Sequence, residues 1–315
     1  MMMNGRIVTV GLAPAWDVRC RGKNLEWGRH VSIDDQEVWP AGKALNISYA
    51  LAWMGLESVA TGLWGREDYD EMQRAVGRSG GLIEVQMTAA DGRTRQNITV
   101  VDTLQHREMH LRRRSDLASE RSLHRLNIDL GRLVREGDTC VFAGAMPAGD
   151  LLEQTVDAVW TCHYRARVAV DTHGAPLKSI VDAGLAWLIA PNVEELGELL
   201  GSPVEDTPAR LAKAVRPLLE KVEMVLVSRG EKGAVLITRG HAWTGACRTK
   251  KEVLSTVGCG DYLLAGFLAR LGEKDDPAGA LAQGLKVATA RAWGWTETKT
   301  WPQVDKEIAV SVKPV

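Results

Sequence analysis

Along the second half of the chain, short unbroken apolar runs alternate with segments in which apolar residues recur at helical spacing. Thr139 to Ala143, Arg167 to Val170, Trp187 to Ala190 and Met224 to Val227 each read as a strand buried on both faces, leading into a polar or glycine-containing turn. Between them, Leu151, Leu152, Thr155, Val156 and Val159, then Leu196, Leu199 and Leu200, then Leu211, Val215, Leu218 and Leu219 follow one helix face. Helical crossovers predict a mostly parallel sheet, and such sheets bind ligands beyond the carboxyl ends of their strands. Gly144, Asp171, Pro191 and Ser228 stand at those ends.

The first third follows a different pattern. After an opening strand at Ile7 to Gly11, alternating segments near Val31 to Val38 and Thr94 to Val101 predict a small sheet standing apart, with helices at Ala44 to Met54 and Tyr69 to Val76. No repeat, low-complexity tract or long linker divides the chain. Residues 1–315 therefore read as one α/β domain with the small sheet woven into it.

Composition narrows the function classes. The 315 residues are 45% hydrophobic, and 39 Lys+Arg against 40 Asp+Glu leave a formal net charge of −1. That describes a folded chain without the basic footprint of a nucleic-acid binder. No run of about 18 apolar residues predicts a membrane span, and no secretory leader pattern opens the chain, so the expected setting is the cytoplasm. Cys20, Cys140, Cys162, Cys247 and Cys259 form no C-x-x-C pair, which argues against a zinc site or a disulfide framework. His106 and His110 are spaced as in zinc hydrolases, but the order H-R-E-M-H misplaces the glutamate and excludes that chemistry. Arg107, Arg112, Arg113 and Arg114 form a basic run that reads as a solvated strand end, or as a contact for an anionic substrate or partner subunit.

The segment richest in chemistry is Ser255-Thr256-Val257-Gly258-Cys259-Gly260-Asp261. Leu264, Phe267, Leu268 and Leu271 continue it on one helix face, so the glycines fall at a helix N-terminus, where unpaired amides and the dipole favour a phosphate. An aspartate in that turn can take a proton from a nucleophilic hydroxyl while the amides stabilise the phosphoryl group in transfer, or it can simply cap the helix. Neither the dinucleotide glycine spacing nor a G-x-x-x-x-G-K-[ST] loop occurs. Pro40-Ala41-Gly42-Lys43-Ala44-Leu45-Asn46 is a second anion-compatible helix start. Asn192-Val193-Glu194-Glu195 has the spacing of a capping box, with a nucleotide-phosphate contact as the alternative. Ser228-Arg229-Gly230 joins two apolar strands.

Taken in order, these segments resemble the phosphofructokinase B branch of the ribokinase-like sugar kinases, especially 1-phosphofructokinases and tagatose-6-phosphate kinases. The likeness runs through Val8 to Asp17, Ala41 to Asn46, Thr94 to Asn97, Ala143 to Pro147, Asp171 to Gly174, Pro191 to Leu196, Ser228 to Gly230 and Gly258 to Asp261. It implies a mostly parallel sheet flanked by helices, with a small β-sheet lid inserted from about 12–40 and 92–112, often a homodimer surface. It implies Asp261 as catalytic base and the amides of Gly258, Cys259 and Gly260 as anion hole. Asp17, Gly42 and Asn46 would hold sugar hydroxyls, and Lys43, Arg95 and Asn97 the phosphorylated sugar. Asn192 and Glu195 would organise Mg2+ and phosphates, partly through water, and Ser228 and Gly230 the nucleotide side. The implied reaction is ATP-dependent phosphorylation of fructose 1-phosphate. Tagatose 6-phosphate, another small alcohol or nucleoside, and a non-catalytic ligand-sensing role are the alternatives.

The chain departs from this pattern inside its motifs. Ala41 and Ala44 stand where the family has glycines, and their methyls are expected to narrow the lysine loop. Ala190 replaces a common lysine, Arg229 an apolar residue that it would exchange for compensating charge, and Tyr262 a small hydroxyl residue. Ala143 and Ala145 replace serines, and His110 with the arginine run replaces an Asn and Pro-Gly-Pro stretch.

Overall fold

The computed structural model describes residues 5–78, 80–105, 107–274 and 276–315. Its strands are β1 (Ile7–Gly11), β2 (Ala15–Gly22), β3 (Asp35–Ala41), β4 (Ser58–Gly65), β5 (Ile83–Ala90), β6 (Gln96–Asp102) and β7 (Arg107–Arg112). They continue as β8 (Thr139–Ala143), β9 (Arg167–Asp171), β10 (Leu188–Ile189), β11 (Met224–Ser228), β12 (Ala234–Thr238), β13 (Ala242–Cys247) and β14 (Val310–Pro314). Ten of them form one sheet in the order β14-β13-β12-β11-β10-β9-β8-β1-β4-β5, parallel from β11 to β5 and antiparallel from β11 to β14.

Helices cover both faces, which is why the central strands read as continuous apolar runs. In β8, Cys140 and Phe142 point into one core with Leu123 and Leu126 of α3 (Glu120–Leu133) and Val159 of α4 (Leu152–His163), numbering from α1 (Lys43–Trp53) and α2 (Tyr69–Gly77). Val141 and Ala143 point the other way, against Ile47 and Leu51 of α1. The first face also carries α5 (Gly174–Asp182), α6 (Val193–Leu200) and α7 (Pro208–Val215), and the second carries α8 (Cys259–Glu273) and α9 (Pro277–Ala292). Alternation along a strand thus feeds two separate cores.

Four strands stand apart as a lid in the order β3-β2-β6-β7. β2 pairs antiparallel with β3 and parallel with β6, and β6 pairs antiparallel with β7. The lid is pinned at its root by buried Asp68, which accepts from the Thr94 N–H at 3.0 Å and from the indole N–H of Trp16. β4 and β5, assigned to no element in the sequence reading, belong to the main sheet. The strand expected at Val31 to Val38 begins only at Asp35, and Val31 and Ile33 are exposed. Among the described residues no helix is long and apolar enough to cross a membrane.

Candidate active site

The carboxyl ends of β8, β9 and β10, the start of α1, the N-terminus of α8 and the inner face of the lid enclose a cleft of about 620 Å³. Asp17, Gly42, Lys43, Asn46, Arg95, Asn97, Asn192, Glu195, Ser228, Gly258, Gly260 and Asp261 all line it. Cys259 and Gly230 do not. Gly230 opens a helical turn, Gly230–Lys232, beyond the rim.

α8 starts after Gly258, whose φ of +80° is the left-handed conformation that glycine adopts without a Cβ penalty. Cys259 differs from its expected part: its N–H leans on the Thr256 carbonyl at 3.4 Å. Among the described residues the Gly258 and Gly260 amides have no backbone acceptor, so these two remain to face an anion. Burial pushes the Cys259 thiol up to about 11, with Asp261 adding to the rise against Arg291.

Asp261 lies in the first turn of α8, 4% exposed, and accepts from the Asn46 amide at 2.7 Å. Burial, then the Asp171 charge, raise its pKa to about 7 against the opposing pull of Lys43, Asn46 and Arg291. A carboxylate at that value alternates between proton acceptor and donor near neutrality, as a general base requires. Lys43 donates to Asp171 at 2.8 Å. Burial pulls the Lys43 ammonium down, but Asp171, Asp261 and Glu195 together hold it up at about 12. Asp171 carried no role in the sequence reading, although its place at the end of an apolar strand marked it.

Gly42, with φ of +123°, is the single residue between β3 and α1, and a Cβ there would meet the Pro14 Cα at 3.3 Å. Ala41 and Ala44, whose methyls were expected to narrow the lysine loop, are buried and do not line this cleft. Arg229 likewise supplies no charge to the site. Its guanidinium is held by the Asp206 carboxylate at 2.6 Å, outside the cleft lining.

On the lid wall the Asn97 amide donates to Asp17 at 3.0 Å, while its buried Oδ1 has no hydrogen-bond partner among the described residues. Burial raises the Asp17 pKa, against Asn97, Arg112, Arg95 and Arg19. The Arg95 guanidinium donates to the carbonyls of Ala13 at 2.9 Å, Pro14 at 3.2 Å and Arg113. Arg112, left open between surface and site, lines the cleft, whereas Arg113 pairs with Asp116 at 2.6 Å. His110 sits on β7 beside Glu108 and Thr99, and His106 lies outside the described residues.

Asn192 and Glu195 form the expected capping box, Glu195 N–H to Asn192 Oδ1 and Asn192 N–H to Glu195 Oε2, each at 2.9 Å. Glu195 Oε1 is not used in that box. One carboxylate oxygen at a cleft wall fits a Mg2+ that keeps most of its waters and takes its other ligands from phosphates. Among the described residues no group of three His, Cys, Asp or Glu side chains forms a direct metal cage.

The model of the pfkB family carbohydrate kinases matches residues 5–292. The chain is 31% identical over 297 residues to a 1-phosphofructokinase from Rhodobacter capsulatus, covering 93% of this chain and 90% of that one. It is 27% identical over 271 residues to a 1-phosphofructokinase from Vibrio cholerae, at 84% and 82% coverage. Phosphofructokinase-2 from Escherichia coli in complex with potassium shares the fold at a TM-score of 0.87, with 22% identity over 97% of this chain and 98% of that one. The tetrameric inhibited form of that enzyme superimposes at 0.86, with 22% identity over the same shares of the two chains.

Proposed function

Since the chain belongs to the pfkB family of carbohydrate kinases, we propose that it transfers the γ-phosphoryl group of ATP to the remaining primary hydroxyl of fructose 1-phosphate. The products are fructose 1,6-bisphosphate and ADP. The observation that carries this reading is Asp261: a buried carboxyl with a pKa of about 7, fixed by Asn46 beside the open amides of Gly258 and Gly260. The acceptor oxygen attacks the γ-phosphorus as its proton passes to Asp261, and the bond to the ADP oxygen breaks.

The sugar lies against the lid, where Asp17 accepts from one hydroxyl and the unpartnered Asn97 Oδ1 from another. Gly42 lets the backbone approach the sugar, Asn46 orients both sugar and base, and Arg95 supplies positive charge to the phosphorylated acceptor. Lys43, near both Asp171 and Asp261, faces the phosphoryl group in flight. The nucleotide lies on the side of Ser228, Asn192 and Glu195. Asn192 and Glu195 would hold Mg2+, which would supply charge neutralisation for the nucleotide phosphates.

The test is ADP release with ATP and Mg2+ across fructose 1-phosphate, fructose 6-phosphate, tagatose 6-phosphate and unphosphorylated sugars, comparing wild type with Asp261→Asn. Turnover highest with fructose 1-phosphate and abolished in the variant is the expected result. A folded wild type that phosphorylates only tagatose 6-phosphate, or only neutral sugars, would replace the acceptor named here.

A further inference from the structure

Resting on that kinase reading, we propose that Arg112 is a specificity-determining residue which, with Arg95, forms a two-guanidinium seat for the phosphate that the acceptor already carries. The lid register provides the first support. Asp17 is paired with Asn97 across β2 and β6, and Asn97 with Arg112 across β6 and β7, so the three form one row on the face turned to the cleft. A sugar whose hydroxyls meet Asp17 and Asn97 presents its next substituent to Arg112.

Charge provides the second. Among the described residues neither Arg95 nor Arg112 pairs with a carboxylate, although most arginines nearby do: Arg19 with Glu37, Arg93 with Glu71 and Arg113 with Asp116. Arg95 is instead clamped to backbone carbonyls, which fix its plane without cancelling its charge. Burial and then the neighbouring Arg112 both press on the Arg95 cation. Arg95 is half-buried while Arg112 is exposed, and an anion between these like charges relieves their repulsion. Asp17, the carboxyl whose charge acts on both, is itself pushed toward its neutral form by burial and is engaged by Asn97.

The third support is the state of the other cation. Lys43 is neutralised by Asp171 at 2.8 Å, so the uncompensated positive charge of the cleft lies at the lid. A phosphate monoester carries a charge of about −1.5 to −2 and accepts bidentate bonds from a planar guanidinium fork. Its match is a pair of arginines rather than one.

The experiment measures binding of fructose 1-phosphate and of fructose by calorimetry without nucleotide, and steady-state kinetics with ATP and Mg2+, for wild type, Arg112→Gln and Arg112→Lys. The Gln variant is expected to weaken fructose 1-phosphate about tenfold or more, in both Kd and KM, with a far smaller change in kcat. The preference for phosphorylated over unphosphorylated sugar falls in proportion, and Lys restores only part of it. Equal affinity in wild type and Arg112→Gln overturns the seat while leaving the kinase reading intact. Binding that depends on Arg112 without any ADP release upholds the seat and overturns the acceptor. A wild type that binds no fructose 1-phosphate overturns both.

Discussion

The two walls of the cleft are built on opposite principles. On the inner wall each charged group already has a partner within the protein: Lys43 has Asp171, and Asp261 has Asn46. Those residues rise from α1, β9 and α8, elements packed into the main cores. The lid wall instead keeps unsatisfied groups, the Asn97 Oδ1 and the charges of Arg95 and Arg112, on a sheet of four strands whose β7 is exposed throughout. Chemistry that depends on a tuned proton acceptor belongs where neighbours are fixed, and recognition belongs where a ligand can complete the bonding.

The largest test of that division is Asp261→Asn. It should lower kcat by about 10²- to 10⁴-fold and leave KM for the sugar nearly unchanged, because Asn46 keeps an acceptor. Steady-state kinetics check this, and a comparable loss of kcat in a lid variant would erase the division. Next, Asp17→Ala should raise acceptor KM by about tenfold with a smaller loss of kcat, since it removes a sugar contact and not the base.

A finer test uses pH. Activity should rise with pH toward a plateau above about 7, as Asp261 loses its proton. Asp171→Asn removes a negative neighbour and should move that limb to lower pH, while Lys43→Met removes a positive one and should move it higher. Lid substitutions should leave the limb in place.

Stability carries the same signature with a smaller amplitude. The unfolded carboxyl ionises near 3.8 and the folded one near 7, so the folded chain holds the extra proton between those values. Stability contributed by that proton is full below about 4 and lost as pH rises to about 7. Thermal melts of wild type and Asp261→Asn should therefore diverge across this window, with the variant relatively more stable at the upper end. The smallest effect is reserved for a position outside both walls. Ser119→Ala removes the hydroxyl that accepts from Ser122 N–H at 3.1 Å in the cap of α3. It should cost about 1 kcal/mol in denaturant unfolding without changing KM or kcat.

The central strands were legible because burial on both faces leaves an apolar run with no competing pattern, and Ile7–Gly11 and Thr139–Ala143 match residue for residue. β4 and β5 escaped notice for physical reasons. Ser58, Thr61 and two glycines dilute β4, and β5 alternates Glu84 and Gln86 with apolar residues, as a strand does at the margin of a sheet. Around the site, Gly258 and Asp261 could be assigned to a helix start from local spacing alone. The pairs that tune them could not, because Lys43 with Asp171 and Asn46 with Asp261 meet only through strand order and helix packing. The family resemblance named residues most of which the structure brings to one cleft, but not their mutual bonds. It was silent on Arg112, whose orientation depends on register in the lid.

One residue, Gly42, is all that separates lid strand β3 from the helix bearing Lys43 and Asn46. The joint has no slack. At this joint a swing of β3 is met by rotation at Gly42 or passes into α1, whose Asn46 donates to Asp261. Under the proposed function, occupancy of the lid wall would bear on the alignment of Asp261 through this joint, so an empty lid would disfavour transfer of the phosphoryl group to water.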